Sequence, residues 1–142
     1  MEIIVHTDGG SIGNPGPSAI GVVIEYAGKK KTYAEAIGEG TNNDAEYQAL
    51  IFALKKIKAL VGSKNAKTAE VKCYSDSQLM VSQLNHRFKL NHEKIILLFA
   101  KAWNQMMEYR RVEFIHVPRE QNQEADDLVK SVIGGGKQNS FL

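Results

Sequence analysis

The chain has 142 residues, 24% of them charged and 43% hydrophobic, which suits one domain with no break in composition. Its longest apolar run, Ile95 to Ala100, is far short of the ~20 residues that span a bilayer, and Met1 to Val5 offers no basic start of a secretory signal. Cys73 is alone, which excludes an internal disulfide and a zinc knuckle of paired cysteines, and a formal charge of +2 is no nucleic-acid signature by itself. A soluble, cytoplasmic, single-domain protein is expected.

The segment Ile3 to Asp8 is rich in β-branched residues and stops at Gly9-Gly10, which predicts a strand running into a loop. Gly13-Asn14-Pro15-Gly16-Pro17 continues as a turn-rich connection. A second strand is expected over Ala19–Tyr26 and a third over Lys31–Ile37, together an antiparallel meander. From Asn43 the period changes: Leu50, Ala53, Leu54 and Ile57 recur at three and four, as on one face of a helix, which Gly62 and Ser63 end. Between Lys55 and Lys72 lie six lysines and one acid, Glu70, a pattern expected of a solvated face.

Val71–Ser75 predicts a fourth strand, followed by a helix to about Leu84. A longer helix is expected over Glu93–Tyr109, with Ile95, Leu98, Phe99, Ala102, Trp103 and Met106 facing the core. Val112–Val117 is the fifth strand and Asn122–Ile133 the last helix, ended by three glycines. The expected domain is 1–133, with 134–142 a short flexible tail. The order β-β-β-α-β-α-α-β-α implies an α/β fold with a mixed sheet and helices on both faces.

Two acids, Asp8 and Asp76, end strands, where open sheets place their ligands. By alternation Ile4, His6 and Asp8 share one face of their strand, and Lys72, Tyr74 and Asp76 one face of theirs. If the two strands are parallel neighbours, both carboxylates converge. Each acid also has a plainer explanation: Asp76 as a helix cap, Glu46 as the partner of Asn43 in a capping box, Asp126 as an acid in a first helical turn.

Five motifs stand in order: Thr7-Asp8-Gly9-Gly10, Gly13-Asn14-Pro15-Gly16-Pro17, Thr41-Asn42-Asn43-x-x-Glu46, Ser75-Asp76-Ser77-Gln78 and Asn122-x-x-Ala125-Asp126-x-Leu128. Together they resemble ribonuclease H of type 1 over nearly the whole chain. The resemblance implies the ribonuclease H-like fold, a five-stranded mixed sheet with three antiparallel strands first. It implies hydrolysis of the RNA strand of RNA/DNA hybrids by in-line attack, leaving 5′-phosphate and 3′-hydroxyl ends, with duplex RNA a further candidate substrate.

By the same resemblance Asp8, Glu46, Asp76 and Asp126 are the catalytic, metal-binding acids. They would hold two Mg²⁺ ions about 4 Å apart, with Mn²⁺ an alternative; hard oxygen ligands suit such cations. Gly9, Gly10, Asn14, Asn43 and Gln78 resemble the positions that read ribose, and Thr41 and Asn42 those at a DNA phosphate; recognition of the 2′-hydroxyl separates RNA from DNA.

The chain departs from the family twice. His116, ten residues before Asp126, reads as part of a strand and is expected to be packed or paired rather than the family's loop histidine, with Arg119 a candidate substitute. Only Leu84 to His92 stands where some members carry a basic protrusion, so Arg87, Lys89 and Lys94 replace it poorly. No obligate protein partner is evident and a monomer is expected. A catalytically silent binding module with this fold is the alternative, and four intact acids count against it. A proofreading-type exonuclease wants Asp-x-Glu on its first strand, where this chain has Asp8-Gly9-Gly10.

Overall fold

The structure, a computed structural model, describes residues 1–134, so all but Gly134 of the expected tail lies outside the described residues. Strands β1 (Glu2–Ser11), β2 (Gly16–Tyr26) and β3 (Lys29–Gly40) form the antiparallel meander. Helices α1 (Asn42–Val61) and α2 (Ser63–Thr68) lead to β4 (Glu70–Ser75). Helices α3 (Gln78–Leu84) and α4 (Glu93–Met106), strand β5 (Arg111–His116), a 3₁₀ turn (Arg119–Gln121) and α5 (Gln123–Ile133) complete the described chain. The sheet order is β3-β2-β1-β4-β5, with β1, β4 and β5 parallel. Strand β1, which carries Asp8, and β4, which leads into Asp76, therefore lie side by side, as convergence requires.

The helices cover both faces. Asp8 pairs with Gly21 and Gly9 with Ile20, so Asp8 and Gly9 point to opposite sides. A Cβ on Gly9 would stand 2.3 Å from the Ala45 carbonyl carbon of α1, and one on Gly21 2.3 Å from the Ala125 carbonyl oxygen of α5. Each glycine thus admits one helix backbone, α1 on one face and α5 on the other. Ile3, Val5, Val71 and Leu54 are fully or almost fully buried in the main core, onto which α4 adds Ile95, Leu98 and Ala102.

Four expectations are corrected. Strand β1 continues through Gly9-Gly10, because pairing with Ile20 and Ala19 overrides glycine's poor strand propensity. Gly62, at φ 88°, does end α1, but Ser63 opens the short helix α2 rather than a loop. Helix α4 stops at Met106, three residues early. Trp103 is half exposed instead of facing the core, to which this helix contributes Ala102 and, in part, Met106.

Candidate active site

The carboxyl ends of β1 and β4 and the start of α1 meet at one point. There Asp8, Glu46 and Asp76 each offer an oxygen, the three lying within 4.8 Å of one another. Asp8 and Glu46 are buried, and the Asp76 side chain keeps only 9% of its surface exposed. His6 stacks on Tyr74 with centroids 4.9 Å apart, which shows that the two strands keep their side chains in register on the Asp8–Asp76 face. Three carboxylates this close repel one another, an arrangement that fits divalent cations bound by hard oxygen donors.

Neither Glu46 nor Asp76 serves as a helix cap. The capping box on α1 is built by Thr41, whose hydroxyl accepts from the Asp44 N–H at 3.0 Å, and Asp44, whose carboxylate accepts from the Thr41 N–H at 2.9 Å. Burial would raise the Asp44 pKa. The Thr41 N–H, the Lys94 ammonium at 2.9 Å and the Thr41 hydroxyl outweigh it and hold the carboxyl below its ordinary range. Relieved of capping, Glu46 turns to β1 and accepts from the Gly9 N–H at 3.1 Å. The cap of α3 is Ser77, whose hydroxyl accepts from the Met80 N–H, so Asp76 too is spared.

Asp126 is buried at the first turn of α5 and is not one of the three clustered acids; its carboxylate meets Lys130 at 3.0 Å. Asn122, also buried, donates to the Thr7 carbonyl at 2.9 Å and ties the start of α5 to the residue before Asp8. The spacing of four between Asp126 and Lys130 was readable in the sequence, whereas the Asn122 bond, which spans 115 positions, was not.

A cleft of about 440 Å³ opens over the acids and is lined by Gly9, Asn14, Asn42, Asn43, Glu46, Asp76, Ser77, Leu79, His116, Val117, Pro118 and Arg119. Its rim is a polar lattice: Asn42 accepts from the Ser11 N–H at 2.9 Å, and Asn14 accepts from the Asn42 N–H at 2.9 Å. The Asn43 side-chain oxygen is buried with no hydrogen-bond partner among the described residues. Arg119 faces Asp76 at 3.7 Å. His116 is exposed on the cleft wall, which corrects the expectation of a packed or paired side chain: it is the last residue of β5, where the neighbouring Ser75 also ends its strand. Gln78 is exposed at the start of α3 beside the lining residues Ser77 and Leu79. Gly10 is buried in β1 and Thr41 is half-buried at the head of α1.

A second groove of about 420 Å³ shares Asn43 and Leu79 with the cleft and continues to Arg87, Phe88, Lys89 and His92. Among the described residues no helix is long and apolar enough to cross a membrane.

The family described as Reverse transcriptase-like matches residues 6–132. A ribonuclease H of Symbiobacterium thermophilum is 30% identical over 96% of this chain and 98% of its own length. A bifunctional protein of Mycobacterium tuberculosis is 34% identical over 99% of this chain, which spans only 38% of that protein's length. The solved N-terminal RNase H domain of the mycobacterial protein superposes with a TM-score of 0.83 at 34% identity, covering 92% of this chain and 98% of that one. The RNase H1 called LC11, solved in complex with an RNA/DNA hybrid, superposes with a TM-score of 0.84 at 42% identity, covering 91% and 94%. Matched by family, by full-length relatives and by fold, with clustered acids at the shared strand ends, the chain belongs to the ribonuclease H family, type 1.

Proposed function

We propose that this domain cuts the RNA strand of RNA/DNA hybrids. The observation that carries the reading is the convergence of Asp8, Glu46 and Asp76 at the floor of a cleft rimmed by side-chain amides. Those three acids, with Asp126 approaching on α5, would hold divalent cations, Mg²⁺ or Mn²⁺. When bound, two such ions supply charge neutralisation and an activated water for in-line hydrolysis, leaving 5′-phosphate and 3′-hydroxyl ends.

The protein's own groups do the rest. Gly9 fixes the Glu46 carboxylate by its N–H, and Asn122 and Lys130 fix Asp126, so the acids are oriented before any ligand arrives. The amides of Asn14, Asn43 and Gln78 both donate and accept, as pairing with a ribose 2′-hydroxyl or a base edge requires; the Gly9 backbone borders that surface, and Gly10, buried in β1, supports it from behind. Thr41 and Asn42 stand at the rim for a phosphate of the DNA strand. The groove past Asn43, with Arg87, Phe88 and Lys89, offers charge and an aromatic face to the same substrate. Arg119, beside Asp76, stabilises negative charge on the reacting phosphate, and His116, on the same lining segment, assists binding.

The test is cleavage of end-labelled hybrid, duplex RNA, duplex DNA and single strands with Mg²⁺ or Mn²⁺, by the wild type and Asp8→Asn. Metal-dependent cutting of the hybrid RNA, absent in Asp8→Asn, is expected. Hybrid binding without cleavage would mark a silent binding module instead, and cleavage surviving in Asp8→Asn would move the reaction centre elsewhere. Gln78→Ala is expected to erode the preference for hybrid over duplex DNA; an unchanged preference removes Gln78 from recognition.

A further inference from the structure

We propose that Gln83 is a positioning residue for substrate binding: held by Tyr47, it fixes residues 87–89 as a basic rim of the side groove. The inference rests on the reading that this groove receives part of the hybrid. Gln83 lies in the last turn of α3, lines the groove and is only 6% exposed. Tyr47, one turn past Asn43 on α1 and fully buried, donates from its hydroxyl to the Gln83 Oε1 at 2.7 Å. On its other side the Gln83 Nε2 donates to the Lys89 carbonyl at 3.4 Å. A phenol hydroxyl can donate or accept, whereas a carbonyl only accepts, so Lys89 decides which end of the amide faces it. Burial pushes the Tyr47 pKa above its ordinary value, so the phenol keeps the proton it donates.

The backbone around this bond is set by the way α3 ends. His86 stands at φ 63°, in the left-handed turn that glycine usually makes just past a helix. Its N–H donates to the Gln83 carbonyl at 3.1 Å and the Arg87 N–H to the Ser82 carbonyl at 2.8 Å, the paired bonds of such an ending. The Asn85 amide donates to the Phe114 carbonyl of β5 at 3.2 Å and ties the same corner to the sheet. These bonds fix the chain as far as Arg87, and the Gln83 side chain carries the hold on to Lys89. Arg87, Phe88 and Lys89 themselves are exposed and line the groove. A rim ordered in advance binds without first losing backbone freedom. That matters where the segment between α3 and α4 is short and few cations can reach the substrate. Helix α1 thereby serves both parts of the site: Glu46 joins the acids, and the adjacent Tyr47 acts through Gln83 on the rim.

The test is hybrid binding by anisotropy, with Asp8→Asn as the inactive parent. Removing one partner alone would bury an unpaired polar group, so Tyr47→Phe and Gln83→Leu are combined; with both groups apolar the fold and melting temperature are expected to hold. This pair is expected to weaken hybrid affinity about tenfold and to speed amide hydrogen exchange at residues 87–89. With Asp8 intact it is expected to raise KM about tenfold and leave kcat within about twofold. Changing Arg87, Phe88 and Lys89 together to alanine is expected to weaken binding as well. Adding the Tyr47→Phe and Gln83→Leu pair to those alanines is then expected to cost little more, because Gln83 acts only through that rim. If the three alanines bind the hybrid like the parent, the groove is no substrate surface and the inference falls with that reading. If they weaken binding while the pair leaves affinity and exchange unchanged, the inference alone is overturned. It is overturned equally if the pair keeps its full effect on the alanine background.

Discussion

Asp8 illustrates how little an isolated residue reveals. At the end of a strand it reads equally as a ligand or as an ordinary turn acid, and the difference lies in its neighbours Asp76, four strand positions from Lys72 in a parallel register, and Glu46 from α1. Asn122 shows the reverse case, a polar residue whose value comes from one buried bond. Asn122→Ala removes the donor to the Thr7 carbonyl and is expected to destabilise the fold by about 1–3 kcal/mol, read by urea denaturation, and to slow cleavage through a misplaced Asp126. His116 is a different matter: it is exposed on the cleft wall and sits on no acid's backbone support. His116→Ala is expected to raise KM a few-fold and leave kcat within about tenfold of wild type; steady-state kinetics showing a loss of several orders would make it part of the chemistry.

Helices can deliver acids to the sheet only where the sheet lets them in. Gly9 admits α1 and Gly21 admits α5, and in each case a methyl group would lie 2.3 Å from helix backbone, which cannot swing aside as a side chain can. Gly9→Ala and Gly21→Ala are each expected to cost at least about 1–3 kcal/mol, measured by thermal unfolding, and to reduce activity by displacing Glu46 or Asp126 respectively. The head of α1 has its own lock in Thr41, Asp44 and Lys94. Asp44→Ala is expected to destabilise by about 0.5–2 kcal/mol at neutral pH. Because the folded Asp44 pKa is depressed, its contribution is present above the unfolded value near 4 and disappears as pH falls through the lower folded value. The gap between wild type and Asp44→Ala, followed by denaturation across pH, should therefore close only in acid.

For the molecule as a whole, the net charge of +2 hides a separation of sign. Acids gather at the strand ends, while lysines spread over α1 and Arg87 and Lys89 border the side groove. The segment between α3 and α4 is too short to form a basic extension that would hold a hybrid there. Hybrid affinity, measured by anisotropy with Asp8→Asn across a salt series, is expected to be modest and to fall with salt at a slope set by only a few phosphate contacts. A steep slope would point to an anionic surface contact larger than the cleft and groove provide.

The sequence by itself determined the order of the strands and main helices, the antiparallel start of the sheet and the family, because period, glycines and motif order are local or linear properties. It placed Asp76 and Asp126 at strand and helix ends, and Asp8 just past the last β1–β4 pair, although β1 itself runs on to Ser11. Local rules then misassigned what tertiary contacts decide. The capping box went to Glu46 because Asn43 stands at the right spacing, whereas Thr41 and Asp44 make it and leave Glu46 for the Gly9 N–H. Hydrophobicity alone places Trp103 inside, whereas the folded helix buries its neighbour Ala102 and leaves Trp103 half exposed. A heptad of apolar residues can be divided between core and surface in more than one way. Only the neighbouring helix, by filling one side first, settles which side chains remain outside.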